Sequence, residues 1–107
     1  MFNNELKKGL KLDSEKPKIK KGFLEYFPRA IIEVAKLSEF GAKKYDWGNW
    51  QYVENGIERY SEAGVRHLLD SIIKGETDPE SELLHATHEA WNALAKLELI
   101  LRKKNDV

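Results

Sequence analysis

Five polar residues, Glu82, His85, His88, Glu89 and Asn92, recur at steps of three and four near one end of this 107-residue sequence. On a helix such steps bring all five side chains to one face. The surrounding run is otherwise apolar, with Leu83, Leu84, Ala86, Ala90, Trp91, Leu94, Leu97, Leu99, Ile100 and Leu101 distributed around most of the helix. Polar groups set in such a helix need partners or water. Two arrangements meet that need: a hydrogen-bonded network that fixes helix register, or an inward-facing ligand array in which Glu and His at i, i+3 share an ion. With carboxylates at hand, the ion that suits the second arrangement is Mg²⁺ or Mn²⁺ bridging a phosphate, rather than zinc in a closed site.

A second constellation lies in "ERYSEAGVRHLLD", residues 58–70. Glu62, Arg66 and Asp70 follow at four-residue steps and read either as solvated ion pairs or as a site edge. Arg66 suits bidentate grip of a phosphate, and its neighbour His67 points about 100° away, toward the face carrying Tyr60 and Gly64. A third stretch, "EFGAKKYDWGNWQY" (39–52), places Lys43 and Lys44 before a loop containing Trp47, Asn49 and Trp50. The lysines reach phosphates as flexible point charges. Either tryptophan offers a flat face to a purine or plugs the gap between helices, and Asn49 can pair a purine edge.

Three helices would carry these groups. Pro28 opens the first, which runs to about Tyr45. The second is expected from an Asn55 cap to Gly75, and the third from an Asp78 cap and Pro79 through the basic "RKK" at 102–104. No period-two alternation supports a strand, so the expected fold is all-α, a small bundle of three main helices. Residues 1–22 read as a Lys-rich N-terminal arm and 23–107 as the helical domain. A third helix apolar nearly all round is covered from several sides, which in so short a chain points to a homo-oligomer, a dimer or tetramer.

Lysine plus arginine and aspartate plus glutamate stand at 18 each, so no net field steers the chain onto duplex nucleic acid. There is no cysteine and no apolar run of membrane-spanning length. The expectation is one domain in the cytoplasm, without disulfides, duplex nucleic acid or membrane as partners.

Taken in order, "KPK" (16–18), "FP" (27–28), "EVAKLSEFGAKKY" (33–45), "NW" (49–50), "RY" (59–60), "RHLL" (66–69), "GETDPES" (75–81) and "LHATHEAWNAL" (84–94) resemble the phage-associated N-terminal domain family of dATP/dGTP diphosphohydrolases, placed among MazG-like all-α nucleotide pyrophosphatases. The resemblance spans roughly residues 13–100. It implies a helical oligomer, a purine deoxynucleoside triphosphate as ligand, and divalent-metal hydrolysis to monophosphate and pyrophosphate. The positions it carries over are Glu33, Glu39, Lys43, Lys44, Asn49, Trp50, Arg66, His67, Asp78, Glu80, His85, His88 and Asn92.

On that reading Glu33, Glu62, Glu82 and Glu89 hold Mg²⁺ or Mn²⁺, and His85 or His88 serves as base or orients water. Glu39, Lys43, Lys44, Trp47, Asn49, Trp50, Arg66, His67 and Asn92 meet the substrate. The usual MazG pattern of ExxE on one helix and ExxD on the next is absent. A second reading therefore stands beside the first: a phage protein, in the host cytoplasm, that binds and sequesters a nucleotide immune signal without cleaving it.

Overall fold

A computed structural model describes residues 8–105 of the chain, and among these it is helical without strands. Residues 1–7 of the expected arm lie outside the described residues, and residues 8–30 are exposed apart from half-buried Asp13. A single wide, π-type turn, Lys20–Leu24, precedes the first long helix.

Helix α1 spans Pro28–Tyr45, with Pro28 in its first turn and Lys43 and Lys44 in its last. A short 3₁₀ turn, Asn49–Tyr52, leads to α2, Gly56–Ile73. Helix α3 spans His85–Asn105 and ends on Arg102, Lys103 and Lys104, cations placed where the helix dipole is negative. Helices α2 and α3 pack most extensively, and α1 lies more lightly against α3. Their pairing is antiparallel. A Cβ on Gly56 would meet Leu99 Cδ1 at 2.9 Å, and one on Gly64 would meet Asn92 Cβ at 3.7 Å, so small residues on α2 let the two backbones approach.

The third helix starts later than its cap signals imply. Asp78 does behave as a cap, accepting the Ser81 N–H at 2.9 Å on its carboxylate. The turn stops after one cycle because Glu82 takes a left-handed φ of 65°. Asp78 N–H then donates to Leu83 O and His85 N–H to Glu76 O, each at 2.8 Å, and Thr77 and Leu84 form an antiparallel bridge. Cap chemistry is here spent on a tight loop. Asn55 also departs from expectation: it adopts φ 56° and makes no side-chain cap bond.

Aromatic packing joins the three helices. Trp91 on α3 donates its indole N–H to Ser38 Oγ on α1 at 2.9 Å. Trp50 and Tyr60 both meet the Trp91 ring in T-shaped geometry, and the Tyr60 hydroxyl donates to Trp50 O at 2.6 Å. Beyond this cluster the apolar core is thin. Leu37 and Ala95 are buried, whereas Leu68, Leu69, Ile72, Ile73, Leu94, Leu97 and Leu101 are exposed. The chain presents 9121 Å² to solvent, against about 6,100 Å² for a folded monomer of this mass. Among the described residues no helix is long and apolar enough to cross a membrane.

Gly75, just past α2, sits at φ 113°, a conformation that a Cβ opposes even in open space. Gly75→Ala is expected to lower the unfolding free energy by about 1–2 kcal/mol in urea titrations. The control, Gly22→Ala, has open space and no positive φ.

Candidate functional site

Steps of four and three along α2 align Tyr60, Gly64 and His67, while His85, His88 and Asn92 align along the start of α3. Antiparallel packing brings these two rows face to face, and the loop between the helices adds Asp78 and Ser81. The result is a cluster of three imidazoles. His67 stacks on His88 with centroids 4.0 Å apart and planes 15° from parallel. His67 Nδ1 lies 2.8 Å from His85 Nδ1, a hydrogen bond in which one ring donates and the other accepts. His88 Nε2 lies 2.7 Å from Ser81 Oγ and 3.5 Å from an Asp78 carboxylate oxygen. One donor atom from each of His67, Asp78 and His88 falls within 4.8 Å of the other two.

The protonation of this cluster follows from its surroundings. Burial disfavours the charged form of His88, the neighbouring His67 opposes it further, and its pKa falls to about 4. Burial likewise lowers His67, against the pull of Asp78. Asp78 is raised by its own burial, but the Ser81 backbone N–H and hydroxyl stabilise the carboxylate and the balance falls below the ordinary value. At neutral pH the cluster thus offers bare imidazole nitrogens beside an ionised carboxylate, which is the state a metal ligand needs.

His67, Asp78 and His88 stand at one side of a hollow of about 860 Å³. Its other walls come from the end of α1, the 46–53 loop and the outer edge of α2. Lys44, Arg59 and Arg66 supply three cations; Asp46, Glu58, Glu62, Asp78 and Glu80 supply five carboxylates. Lys44 is paired with Glu80, whose carboxylate raises the lysine's pKa. Trp47 lines the hollow and is 69% exposed. Next to it the backbone is strained at Asp46, at φ 84°, while Gly48 takes φ 80° without a Cβ to oppose it. Asp46 holds its conformation by accepting the Trp47 N–H on its carboxylate at 2.9 Å.

The residues singled out in the sequence divide cleanly. Lys44, Trp47, Asn49, Trp50, Glu62, Arg66, His67, His88 and Asn92 line the hollow. Trp50 does so from within the aromatic cluster, with Arg102 over its ring at 5.3 Å, and Asn92 donates its amide to His88 O at 2.8 Å. His85 lies behind the wall, 2% exposed, and reaches the site through His67. Glu33 instead pairs with Lys36, and Glu39, Lys43, Glu82 and Glu89 are absent from the lining. Glu82 is off the helix altogether, so the expected five-residue stripe loses its first member. Sequence reasoning did not pick Ser81, Glu58, Arg59 or Tyr60 as site residues. The "DPES" cap signal could have found Ser81, because the residue three after an Asp cap donates back to it.

The fold and site define a class of all-α proteins in which antiparallel helices hold a metal-capable His/Asp cluster at the side of a hollow of about 860 Å³. Within that class the family is specific. The family described as "dATP/dGTP diphosphohydrolase, N-terminal" matches residues 7–106, and the chain belongs to it. A protein of Salmonella phage PMBT28, named dATP/dGTP diphosphohydrolase, is 40% identical over 63 residues, which is 59% of this chain. The chain matches 21% of that relative's length. No solved structure matches it.

Because the folded pKa of His88 lies below its unfolded value, its contribution is complete above about pH 6.5. As pH falls from there toward about 4, the unfolded chain takes up protons that the folded one refuses, and stability is lost. In EDTA, Tm is expected to drop across that window, and His88→Gln should flatten the slope. A profile unchanged by His88→Gln would refute this assignment.

Proposed function

We propose that this domain binds a purine deoxynucleoside triphosphate in the hollow and hydrolyses it, with a divalent cation, to monophosphate and pyrophosphate. The observation that carries the reading is the composition of that hollow, in which base-stacking, phosphate-gripping and metal-ligating groups share one space. Its volume of about 860 Å³ lies within the range of small-molecule sites. The exposed Trp47 face would stack a base, an interaction of about 1–3 kcal/mol. Asn49 would address a purine edge, and Arg66, Arg59 and Lys44 would meet the phosphates, Lys44 after leaving Glu80.

The lining charge decides whether a cation is needed. With three cations against five carboxylates the hollow is acidic, and a triphosphate entering alone meets net repulsion. A divalent cation at His67, Asp78 and His88 would relieve it; when bound there, such an ion would polarise a phosphoryl oxygen and lower the pKa of water. Glu62 lines the hollow and would accept the proton of a water attacking the α-phosphorus, while Arg66 neutralises the departing pyrophosphate. His88 and His67 hold their rings in place by stacking on each other.

The domain would work as a homo-oligomer. Leu68, Leu69, Ile72, Ile73, Leu94, Leu97 and Leu101 stay exposed on α2 and α3, an apolar face that a second copy would cover. Sedimentation is expected to give a dimer or tetramer, and Ile72→Glu with Ile73→Glu should dissociate it; a monodisperse monomer of the unmodified chain would rule this out.

A sequestering role remains the second reading, favoured by the presence of a single carboxylate in the His/Asp cluster. Incubation with dATP or dGTP and Mn²⁺ or Mg²⁺, followed by chromatography, separates the two. Hydrolysis should yield equal amounts of monophosphate and pyrophosphate, and Arg66→Ala should cut turnover by about 10²-fold or more. Tight binding without product would select sequestration.

A further inference from the structure

We infer that His67, Asp78 and His88 form a site for one transition-metal ion, of the Mn²⁺, Co²⁺ or Zn²⁺ class, and that buried His85 fixes His67 in the tautomer that can ligate it. This deepens the hydrolytic reading, resting on it for the ion's purpose but not for its binding. The donor set argues for the class of ion. Two imidazoles and one carboxylate suit first-row transition metals, whereas Mg²⁺ prefers an all-oxygen shell and parts with water reluctantly. Three protein donors also leave positions open for water or a phosphate oxygen, as in catalytic sites.

Proton accounting assigns the role of His85. A neutral imidazole carries a single N–H, and only one proton lies between the two Nδ1 atoms 2.8 Å apart. If His85 donated, His67 would carry its own proton on Nε2 and could not bind a cation there. If His67 donates from Nδ1, its Nε2 lone pair is free for the metal. His85 then carries its proton on Nε2, a buried atom without a hydrogen-bond partner among the described residues, so this tautomer leaves an N–H unsatisfied, a cost that ion binding at His67 would offset. A histidine this buried, bonded through Nδ1 to His67 Nδ1, has the geometry of an acceptor that orients a ligand.

The test uses the full chain stripped with EDTA and titrated calorimetrically, without nucleotide, with MnCl₂, CoCl₂, ZnCl₂ and MgCl₂. One ion per chain is expected, with Co²⁺ and Zn²⁺ at least about tenfold tighter than Mg²⁺. His67→Ala and His88→Ala should abolish binding, and His85→Leu should weaken it by about 10–100-fold. Glu25→Gln, which alters a carboxylate paired with Lys20 ahead of α1, should leave it unchanged. Nitrogen-15 NMR of the unmodified chain gives a reading that no folding defect confounds: Zn²⁺ should shift His67 Nε2 and a His88 ring nitrogen and leave His85 Nε2 protonated. Equal affinity for Mg²⁺ and Co²⁺, or imidazole resonances unmoved by Zn²⁺, would overturn the inference. Ion binding without nucleotide turnover would instead overturn only the hydrolytic reading.

Discussion

Two ring nitrogens 2.8 Å apart, His67 Nδ1 and His85 Nδ1, cannot both carry a proton and cannot both be bare. Most of what the site can do follows from this contact. It ties the middle of α2 to the first residue of α3, and it holds the plane of His67, on which His88 stacks. Asp78 and Ser81 complete the enclosure only because the intervening loop turns back on itself at Glu82. Burial keeps two of the rings uncharged at neutral pH. A charged imidazole in the stack would repel its neighbour and any incoming cation together.

Around this rigid cluster the hollow is electrostatically mixed. Carboxylates outnumber cations on its walls, while Lys44 is already occupied by Glu80. Such a surface attracts cations and repels a polyanion unless a cation is held with it. The strained backbone at Asp46 sits beside the exposed Trp47, and strain of this kind survives only where neighbours over-determine it. The loop is therefore held in shape by its own contacts, the Asp46 carboxylate to Trp47 N–H bond among them.

Much of the fold could be read from the sequence because its cues are local. Pro28, Gly75 and the terminal basic run set helix limits by covalent and dipolar effects that neighbours do not override. The start of α3 could not, since Asp78, Pro79 and Ser81 supply the same cap bond to a full helix and to a single turn. The choice between them lies in the long-range Thr77–Leu84 bridge. The site divides along the same line. His88, His67 and Arg66 were visible through spacing, because three- and four-residue steps survive folding. Glu33, Glu82 and Glu89 have the right chemistry for a metal, but their distance from the hollow depends on how α1 tilts and where α3 begins. Neither is written in a local pattern.

The imidazole cluster, its carboxylate and the serine all come from the continuous stretch 67–88, closed by one helical hairpin. Such short-range closure carries little loop entropy and forms quickly, whereas the tryptophan-bearing wall waits for α1 to dock through Ser38 and Trp91. The hairpin thus amounts to a self-contained cassette, whose chemistry could be inherited intact while the tryptophan-bearing wall is rewritten around it.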